Sequence, residues 1–487
     1  MAGRTGAVTT ATFPLNNGKA VTGAVTYSGT TATFTPSSPL TSGATYTVTI
    51  TSGVKDLAGN AMTTNYSWSF KTISYNLWTW MSGSNVVNQS GVYGTLGVAS
   101  AGNVPGARSR PVSWLDGSGN RWLFGGIGFD SAGTQGSLND LWKYDGSNWT
   151  WVSGSNVVNQ KGIYGVQGSA AGSNIPGARY GGVSWLDSNG NRWLFGGYGY
   201  DSAGTLGYLN DLWKYDGSNW IWVGGSNSLN QKGFYGTQGT VAVGNIPGAR
   251  TGAISWVDAS GNSWLFGGEG YDSAGTAGVL NDLWKFDGSN WTWVSGSNIV
   301  NQKGIYGTQG SAAGNNIPGA RYAAVSWIDN SGNRWLFGGF GYDSTGTTSA
   351  WLNDLWKFDG NNWTWISGSN LTYQAGVYGT QGIAAAGNTP GARSAAVSWI
   401  DASGKLWLFG GTNGYFVANI NDLWKFDGSN WTWVSGSNLN NQAGVYGTQG
   451  IAAAGNTPGA RGSAVSWSDG WLFGGWVPYN DLWRYQP

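Results

Sequence analysis

Short segments of the chain alternate apolar and polar residues at every second position, and one set of such segments recurs along most of its length. The set begins at the tetrapeptide PGAR and continues with a segment that ends in Trp, a WLFGG segment, an NDLW segment and a segment of the type WTW. Period-two alternation, β-branched and aromatic residues, and Asp-Gly or Asn-Gly turns predict four short antiparallel β-strands per unit. The arginine of PGAR marks the six units: Arg108, Arg179, Arg250, Arg321, Arg393 and Arg461.

A sheet of four strands cannot bury both of its faces alone, so we expect the units to stack around an axis as the blades of a β-propeller. The tryptophans of the first three segments each occur six times, whereas the last segment supplies only five pairs, the first of them Trp149 and Trp151. A sixth pair, Trp78 and Trp80, precedes the first PGAR, and the chain ends just after an NDLW segment. The N-terminal strand is therefore predicted to complete the last blade and to close a ring of six.

The order of motifs over residues 76–487 resembles the kelch repeat: PGAR, a strand that ends in Gly-Gly, NDLW and an aromatic final strand. The resemblance implies a six-bladed kelch-type propeller of four-stranded antiparallel blades, with the PGAR strand at the axis and the WTW strand outermost. The paired glycines also have a physical reason, because adjacent blades approach closely there and only Gly tolerates the backbone geometry and the crowding.

Residues 1–72 alternate at period two without the repeat, for example in ATYTVTI, and resemble the later strands of a bacterial Ig-like domain. Modules of that family begin with about two further strands, so the resemblance implies a partial Ig-like β-sandwich that serves as a spacer between surface modules. Residues 73–75 are interpreted as a short linker, and residues 76–487 as the propeller. The chain is thus predicted to be all-β.

The chain contains no His and no Cys, and this absence narrows the chemistry available to it. It excludes His or Cys metal sites, Ser-His-Asp and Cys-His catalysis, and disulfides. The repeat is also similar to the scaffold of galactose oxidase, a family that binds copper through two His and two Tyr, one Tyr being crosslinked to Cys. A copper radical oxidase is therefore excluded here, and the scaffold by itself implies no activity.

Charge and hydropathy argue against nucleic acid and membrane partners. The 24 basic and 23 acidic residues give a net charge of +1 and are scattered singly, so no basic patch for nucleic acid or anionic lipid is expected. No stretch approaches the roughly 18 apolar residues of a membrane helix. A surface rich in Asn, Ser, Thr and Gly, without Cys, favours an extracellular or bacterial cell-surface protein. The N-terminus lacks the apolar core of a signal peptide, so an export signal is expected upstream of this sequence.

The acidic residues recur with the repeat, which favours turns and caps over catalysis. Aspartates recur within NDLW, in both types of tight turn and in one long loop, and only Asp56 and Glu269 stand outside these series. Catalytic carboxylates need an asymmetry that separates their pKa values. Sialidases, another six-bladed class, place a glutamate beside a tyrosine nucleophile and use three arginines. Glu269 is the single candidate for that glutamate, and the arginines are used one per blade in PGAR.

Loops of the type GxDSxGTxGxLND offer hard oxygen ligands and flexible glycines, which is the chemistry of calcium sites. One or two carboxylates per loop, without a bidentate Glu, are few for such a site. The alternative is that these aspartates cap the backbone of their own loops. No other cofactor is expected, and the calcium candidates are Asp130, Asp201, Asp272 and Asp343.

Two further series are interpreted as structural because every unit contains them. The PGAR arginines could bind an anion in the axial channel, but their recurrence favours hydrogen bonds to carbonyl groups of the neighbouring blade. The tyrosines of the NQxGxYGTQG loops are interpreted as loop anchors rather than ligand platforms: Tyr93, Tyr164, Tyr235, Tyr306, Tyr378 and Tyr446.

One face of the propeller is predicted to carry the long connections, those from the second to the third strand and those between blades. Long loops on a rigid scaffold are common binding sites. On this face the repeat is broken in units four to six, where unit four gains Ala350 and Trp351, unit five reads TNGYFVANI and unit six is cut to WVPY. The aromatic residues left over suit a glycan or a protein ligand, or else fill the gap of the shortened loop: Trp351, Tyr415, Phe416, Trp476 and Tyr479.

Three functions are compatible with this pattern. The first is a non-enzymatic extracellular binding or adhesion module that presents the loop face to a glycan or protein. The second is a carbohydrate-active enzyme that uses aspartates of that face, which would require two carboxylates about 5 to 10 Å apart. The third is a surface or filament subunit in which the incomplete Ig-like module accepts a strand from a neighbour; otherwise the propeller is expected to be monomeric.

Overall fold

The computed structural model describes residues 8–28, 31–38, 40, 44–56, 58–72, 76–413 and 418–487. Contacts divide the chain into two compact units, Met1–Leu77 with Gln486–Pro487, and Trp78–Tyr485. The described residues form strands and turns and include no helix, hence none that could cross a membrane. The predicted all-β class is confirmed. The predicted linker, residues 73–75, lies outside the described residues.

Within its described residues, the N-terminal unit has five short strands in two antiparallel sheets. One sheet has three strands and one has two: Leu15–Asn16, Thr45–Ile50 and Tyr66–Lys71 in the first, and Gly23–Ser28 and Thr31–Pro36 in the second. Leu15, Tyr46 and Val48 form a small core, and Phe13 and Phe34 pack against it.

The remaining strands form six antiparallel sheets, which we call blades 1 to 6 in chain order. The innermost strands carry the VSW motif: Val112–Leu115, Val183–Leu186, Ile254–Val257, Val325–Ile328, Val397–Ile400 and Val465–Trp467. In blades 1 to 4 a two-residue strand precedes the innermost strand and pairs with the same neighbour: Arg108–Ser109, Arg179–Tyr180, Arg250–Thr251 and Arg321–Tyr322.

The other three strands of each blade follow outward in chain order. The second strands are Arg121–Phe129, Arg192–Tyr200, Ser263–Tyr271, Arg334–Tyr342, Leu406–Asn413 and Trp471–Phe473. The third strands are Gln135–Tyr144, Leu206–Tyr215, Ala277–Phe286, Ser349–Phe358, Ala418–Phe426 and Leu482–Gln486. The outer strands are Trp149–Ser153, Trp220–Gly224, Trp291–Ser295, Trp363–Ser367, Trp431–Ser435 and, for blade 6, Leu77–Ser82.

The outer strand of blade 6 comes from the N-terminal side of the chain, as the tryptophan count predicts. Leu77–Ser82 pairs with Leu482–Gln486. The side chain of Trp78 is 2% exposed and packs against aromatic rings of blades 5 and 6, with centroid distances of 5.1 Å to Phe409 and 5.0 Å to Tyr485. The predicted closure by a shared blade is therefore confirmed.

The six sheets form a closed ring. Each of six hydrophobic clusters combines residues of two neighbouring blades, and one of them joins Trp142 of blade 1 to Trp471 of blade 6. Around the axis, each inner-strand serine donates a hydrogen bond from Oγ to the serine carbonyl of the preceding blade, and the circuit closes: Ser113, Ser184, Ser255, Ser326, Ser398 and Ser466. This arrangement is a β-propeller with its innermost strands at the axis.

A second circuit of hydrogen bonds runs through the backbone two residues after each PGAR arginine. The N–H of each residue donates to the carbonyl of its counterpart in the preceding blade. All six residues have a left-handed φ between 51° and 66°, although only two are Gly: Arg110, Gly181, Gly252, Ala323, Ala395 and Ser463. The ring of blades thus holds four non-glycine residues in a conformation that L side chains seldom adopt.

Paired glycines at the end of WLFGG are required by the approach of the next blade, as predicted. Gly267 has φ 67°, and a Cβ there would lie 2.6 Å from the carbonyl oxygen of Arg321 in blade 4. A side chain at this position would force the two blades apart.

The PGAR arginines bond within their own blade, so the prediction that they reach carbonyl groups of the neighbouring blade is wrong. Arg250 makes a bidentate ion pair with Asp282 of the NDLW motif, at 2.7 Å for both nitrogen–oxygen pairs. Its other bonds go to the carbonyls of Gly248 and Gly267. The NDLW aspartate was also expected to be a turn or a cap, and it lies instead fully buried in the middle of the third strand.

The tyrosines of the inter-blade loops are anchors, as predicted. Tyr235 donates its hydroxyl to Asp282 at 2.6 Å, and its ring lies 4.7 Å from that of Trp284. Burial raises the pKa of Tyr235, and the charge of Asp282 raises it further. The loops that carry these tyrosines are therefore fixed to the buried ion pairs of the blades.

The tight turns between the first and second strands depend on aspartates that accept hydrogen bonds. Asp187 accepts the backbone N–H groups of Asn189 and Asn191 and the indole N–H of Trp193. Burial alone would raise the pKa of Asp187, but these donors outweigh it and hold the pKa below its usual value. Asp116, Asp258, Asp329 and Asp401 have lowered pKa values for the same reason.

We expect the stability of the protein to be nearly constant between about pH 5.5 and 7.5, since the chain has no His, and to fall below about pH 4. A carboxyl group with a lowered folded pKa contributes stability that is present above its unfolded pKa of about 3.9 and is lost as the pH falls through the folded value. Thermal unfolding followed by circular dichroism from pH 2 to 8 measures this. A steep change of Tm between pH 5.5 and 7.5 would contradict the expectation.

Candidate functional site

An axial cavity of about 380 Å³ opens on the face that carries the long loops. Residues of five blades line it, at the start of the first strands and at the end of the second strands. The lining combines hydroxyl groups, one guanidinium group and four large apolar side chains: Ile127, Phe340, Trp351 and Trp476.

Side chains in and beside this cavity come from equivalent positions of the repeat, although no residue of blade 3 is in its lining. In each of blades 1 to 5, three residues lie directly opposite one another: one just before the innermost strand, one in the second strand and one in the third strand. Their side chains therefore lie on one face of the sheet. We call each set of three a rung. The rungs are Ser109, Ile127 and Ser137; Tyr180, Tyr198 and Tyr208; Thr251, Glu269 and Val279; Tyr322, Phe340 and Trp351; and Ser394, Thr412 and Asn419.

The rungs of blades 2 and 4 consist of aromatic residues only. In blade 2 the ring of Tyr198 lies 5.6 Å from Tyr180 and 5.0 Å from Tyr208, the second contact being edge to face. In blade 4 the ring of Phe340 lies 5.5 Å from Tyr322 and 5.0 Å from Trp351. Each rung is therefore a continuous aromatic surface across three strands.

Blade 3, between these two aromatic surfaces, carries the only Glu of the sequence. Glu269 is half-buried. Its charge acts on both aromatic rungs. Burial raises the pKa of Tyr208, and the charge and hydrogen bond of Glu269 raise it further. Burial and the charge of Glu269 also raise the pKa of Tyr322.

Arg110 of blade 1 is the basic residue of the axial cavity. Its Nε donates to the hydroxyl of Ser463 at 3.4 Å, and its guanidinium carbon lies 6.0 Å from the ring centroid of Tyr180. Burial raises the pKa of Tyr180; Arg110 lowers it, and Glu269 raises it. Tyr180 thus lies within the electrostatic reach of one positive and one negative side chain.

Two of the predicted site residues, Trp351 and Trp476, lie together in the lining of the axial cavity. Trp476 is 43% exposed. Trp351 is held between Phe340 and Tyr373, and its indole nitrogen has no hydrogen-bond partner among the described residues. Trp351 also lines a second cavity of about 460 Å³. Both rings present apolar surface to the axial cavity, and Trp351 alone also faces the second one.

The other predicted site residues do not join them. Tyr479 stacks on the PGAR arginine of blade 6, with 4.3 Å between its ring centroid and the guanidinium carbon of Arg461, and it lies outside the lining of the axial cavity. Tyr415 and Phe416 lie outside the described residues.

The aspartates proposed for calcium accept hydrogen bonds from the backbone. Oδ1 of Asp130 accepts the N–H groups of Ala132 and Thr134, and Oδ2 accepts that of Val158 in the next loop. Asp201, Asp272 and Asp343 make the same kind of bond. Within the described residues, no three acidic side chains cluster in a way that could hold a metal ion. Calcium stays a prediction, and the bonds seen are those of capping.

Two expectations about where the repeat is broken are wrong. Trp351 is not an inserted residue, because it occupies the register position of Tyr208 and Val279. The repeat is also broken in blades 2 and 3, which the sequence analysis missed. The residue after each Gly-Gly is the signal that could have revealed this, since it differs in all six blades: Ile127, Tyr198, Glu269, Phe340, Thr412 and Trp476.

Comparison with known proteins identifies the N-terminal unit. Residues 2–72 match the family described as bacterial Ig-like domain. No protein of curated function matches the chain. Among solved structures, the chain is similar to one titled "Structure of YjhT", with 15% identity over 78% of this chain and 95% of that chain and a TM-score of 0.46. It is also similar to a fungal alcohol oxidase of the AA5 family in complex with copper, with 12% identity over 81% of this chain and 77% of that chain and a TM-score of 0.41.

Proposed function

We propose that the protein is a non-enzymatic binding module, a six-bladed kelch-type propeller that holds a glycan in its axial cavity. The observation that carries this proposal is the meeting of Trp351 and Trp476 in one cavity, beside the aromatic rung of blade 4. Aromatic faces next to hydroxyl groups suit sugars, because a sugar ring offers both apolar C–H faces and polar edges.

The size and polarity of the cavity support a small polar ligand. Its volume of about 380 Å³ lies in the range of about 300 to 1,000 Å³ usual for small-molecule sites. Hydroxyl groups of Ser109, Ser394 and Thr412 line it beside the aromatic rings.

A binding role is favoured over glycoside hydrolysis by the distribution of carboxylates. A hydrolase of the usual type needs two carboxylates that flank the scissile bond, and neither Asp nor Glu is among the described residues that line the axial cavity. The six NDLW aspartates are each paired with a PGAR arginine. Such pairing leaves them poorly placed to serve as acid or base.

An extracellular or bacterial cell-surface location follows from the same proposal. Bacterial Ig-like domains are typical of surface and extracellular proteins, and residues 2–72 match that family. The absence of Cys and the surface rich in Asn, Ser and Thr agree with such a location. In this arrangement the Ig-like domain serves as a spacer and the propeller binds the ligand.

Substitution of Trp476 by Ala is expected to weaken glycan binding by more than about 1 kcal/mol, as for a central anchor of an interface. A glycan array first identifies a bound oligosaccharide, and isothermal titration calorimetry then measures the affinities of wild type and variant. Because Trp476 is 43% exposed, its loss should leave Tm nearly unchanged. Trp351→Ala should also weaken binding, with some loss of stability because Trp351 packs between two rings.

Phe234→Ala is the matched control for these variants. Phe234 is an aromatic residue of an inter-blade loop, 55% exposed and outside the lining of the axial cavity, so its loss should leave the affinity unchanged. Tyr164 would be a poor control, since it is buried and bonded to Asp211. Unchanged affinity of both Trp variants would refute the site, and binding of a protein but of no glycan would refute the ligand class.

A further inference from the structure

Glu269 differs from the other described carboxylates of the propeller in its partners. The NDLW aspartates pair with arginines. The turn and loop aspartates accept backbone N–H groups of their own turns, for example Asp116, Asp145 and Asp130, and Asp469 pairs with Arg121. Glu269 has neither kind of partner among the described residues, and the hydroxyl of Tyr208 is the group that interacts with it. Its negative charge is therefore not balanced by a basic side chain.

The surroundings of Glu269 are aromatic on two sides. The other two side chains of its own rung, Thr251 and Val279, are small. The rungs of blades 2 and 4 are wholly aromatic. The charge of Glu269 is felt by tyrosines of both neighbouring rungs, Tyr180 and Tyr322 among them. The carboxylate thus lies between two aromatic surfaces.

A carboxylate between tyrosine rings is an arrangement that favours a cation. An ammonium group is attracted by the faces of aromatic rings, and a hydrogen bond between an ammonium group and a carboxylate is one of the stronger polar contacts in proteins. A neutral or anionic group placed there would leave the charge of Glu269 without a counter-ion. The negative charge of Glu269 in blade 3 therefore favours a ligand group that is positively charged.

We propose that the ligand of this propeller carries a protonated amine, and that Glu269 binds this amine between the aromatic rungs of blades 2 and 4. This inference rests on the proposed glycan-binding function and assigns the ligand to glycans that contain an amino sugar with a free amine. Glu269 is not among the residues that line the axial cavity, but its charge reaches Tyr180 and Tyr322, which are. The amine is therefore bound beside the cavity, and the sugar rings extend into it toward Trp351 and Trp476.

Arg110 provides a second variant for the test, with an expected effect opposite to that of Glu269. It lies on the blade 1 side of Tyr180 and has no carboxylate partner among the described residues. Its positive charge repels an amine at Glu269 across the mouth of the cavity. Removal of the Arg110 charge is therefore expected to strengthen binding of the amine, whereas removal of the Glu269 charge weakens it.

The test compares three β-1,4-linked pentasaccharides that differ only at carbon 2 of each sugar: glucose, N-acetylglucosamine and glucosamine. Calorimetry at a pH at which the amine is protonated measures each affinity. We expect the glucosamine pentasaccharide to bind at least about tenfold more tightly than the glucose pentasaccharide, which is the effect of one hydrogen bond to a charged group. Glu269→Gln should bring this ratio close to one, and Arg110→Gln should increase it about twofold or more.

The control for net charge is Asp287→Asn, which removes one negative charge from an exposed turn of the same blade. This variant should keep the wild-type ratio. Equal binding of all three pentasaccharides overturns the inference and leaves the glycan-binding function in place. A tenfold ratio that Glu269→Gln does not change, with Tm maintained, also overturns the inference. Failure of all three to bind, while the glycan array shows binding of other, amine-free glycans, overturns the inference alone; an array without any bound glycan overturns the glycan-binding function as well.

Discussion

A variant that begins at residue 83 is expected to lose the cooperative thermal unfolding of the propeller, whereas a variant that begins at residue 76 should retain it. The two differ only by the strand Leu77–Ser82 and one residue before it. This strand is the outer strand of blade 6, and without it the strand Leu482–Gln486 becomes an unpaired edge. Blades 5 and 6 then lose the packing of Trp78 between them, and blade 6 is no longer joined through the chain to blade 1.

The size of this effect follows from the aromatic contacts of the lost strand. Trp78 is buried among Trp399, Phe409, Trp483 and Tyr485, and burial of one such side chain contributes about 2 to 3 kcal/mol. Trp80 packs edge to face on Tyr446. Differential scanning calorimetry and limited proteolysis compare the two variants. Equal Tm and equal protease resistance would show that the ring does not need this strand.

Asp282→Asn is expected to lower the free energy of unfolding by about 3 to 5 kcal/mol, which is the usual cost of removing one partner of a buried ion pair. Asp282 is fully buried and accepts hydrogen bonds from Arg250, Tyr235 and Trp284. Asn keeps the shape of the side chain but leaves the charge of Arg250 buried without a counter-ion. Urea unfolding followed by tryptophan fluorescence measures the change.

The double variant Arg250→Met with Asp282→Leu separates the ion pair from packing. It removes both charges, so it should be clearly less destabilised than the sum of the two single variants. Tyr235→Phe, which removes one donor to Asp282, should cost only about 1 kcal/mol. An Asp282→Asn variant within about 0.5 kcal/mol of wild type would contradict the assigned role of the pair.

The contrast between the predicted and observed role of Arg250 has a physical reason. Its recurrence in every unit indicates a structural role, and the sequence supports that interpretation. Its partner could not be read from spacing, because Asp282 lies 32 residues away and is brought beside it only by pairing of the strands. The same aspartate was assigned to turns because Asp is common there, although the structure places it in the middle of a strand.

The candidate site likewise contains some residues that the sequence singles out and others that only the structure reveals. Trp351 and Trp476 could be identified as exceptions because they fall outside the tryptophan series. Glu269 was also recognised as an exception, but it was considered only as the catalytic glutamate of a sialidase. The aromatic rungs of blades 2 and 4 are not evident from the sequence, because only the register of the paired strands places residues such as Tyr198 and Tyr208 opposite each other.

The regularity of the repeat alone determined the β-strands, the number of units and the closing strand. The composition, without His and Cys, determined which chemistry is excluded. These properties depend on the spacing and type of residues, which the sequence contains in full. The partners of the buried charges and the membership of the axial cavity were decided by the tertiary structure. Strand register and ring closure bring together residues of separate blades, such as Arg110, Tyr322 and Trp476, and no local pattern records those distances.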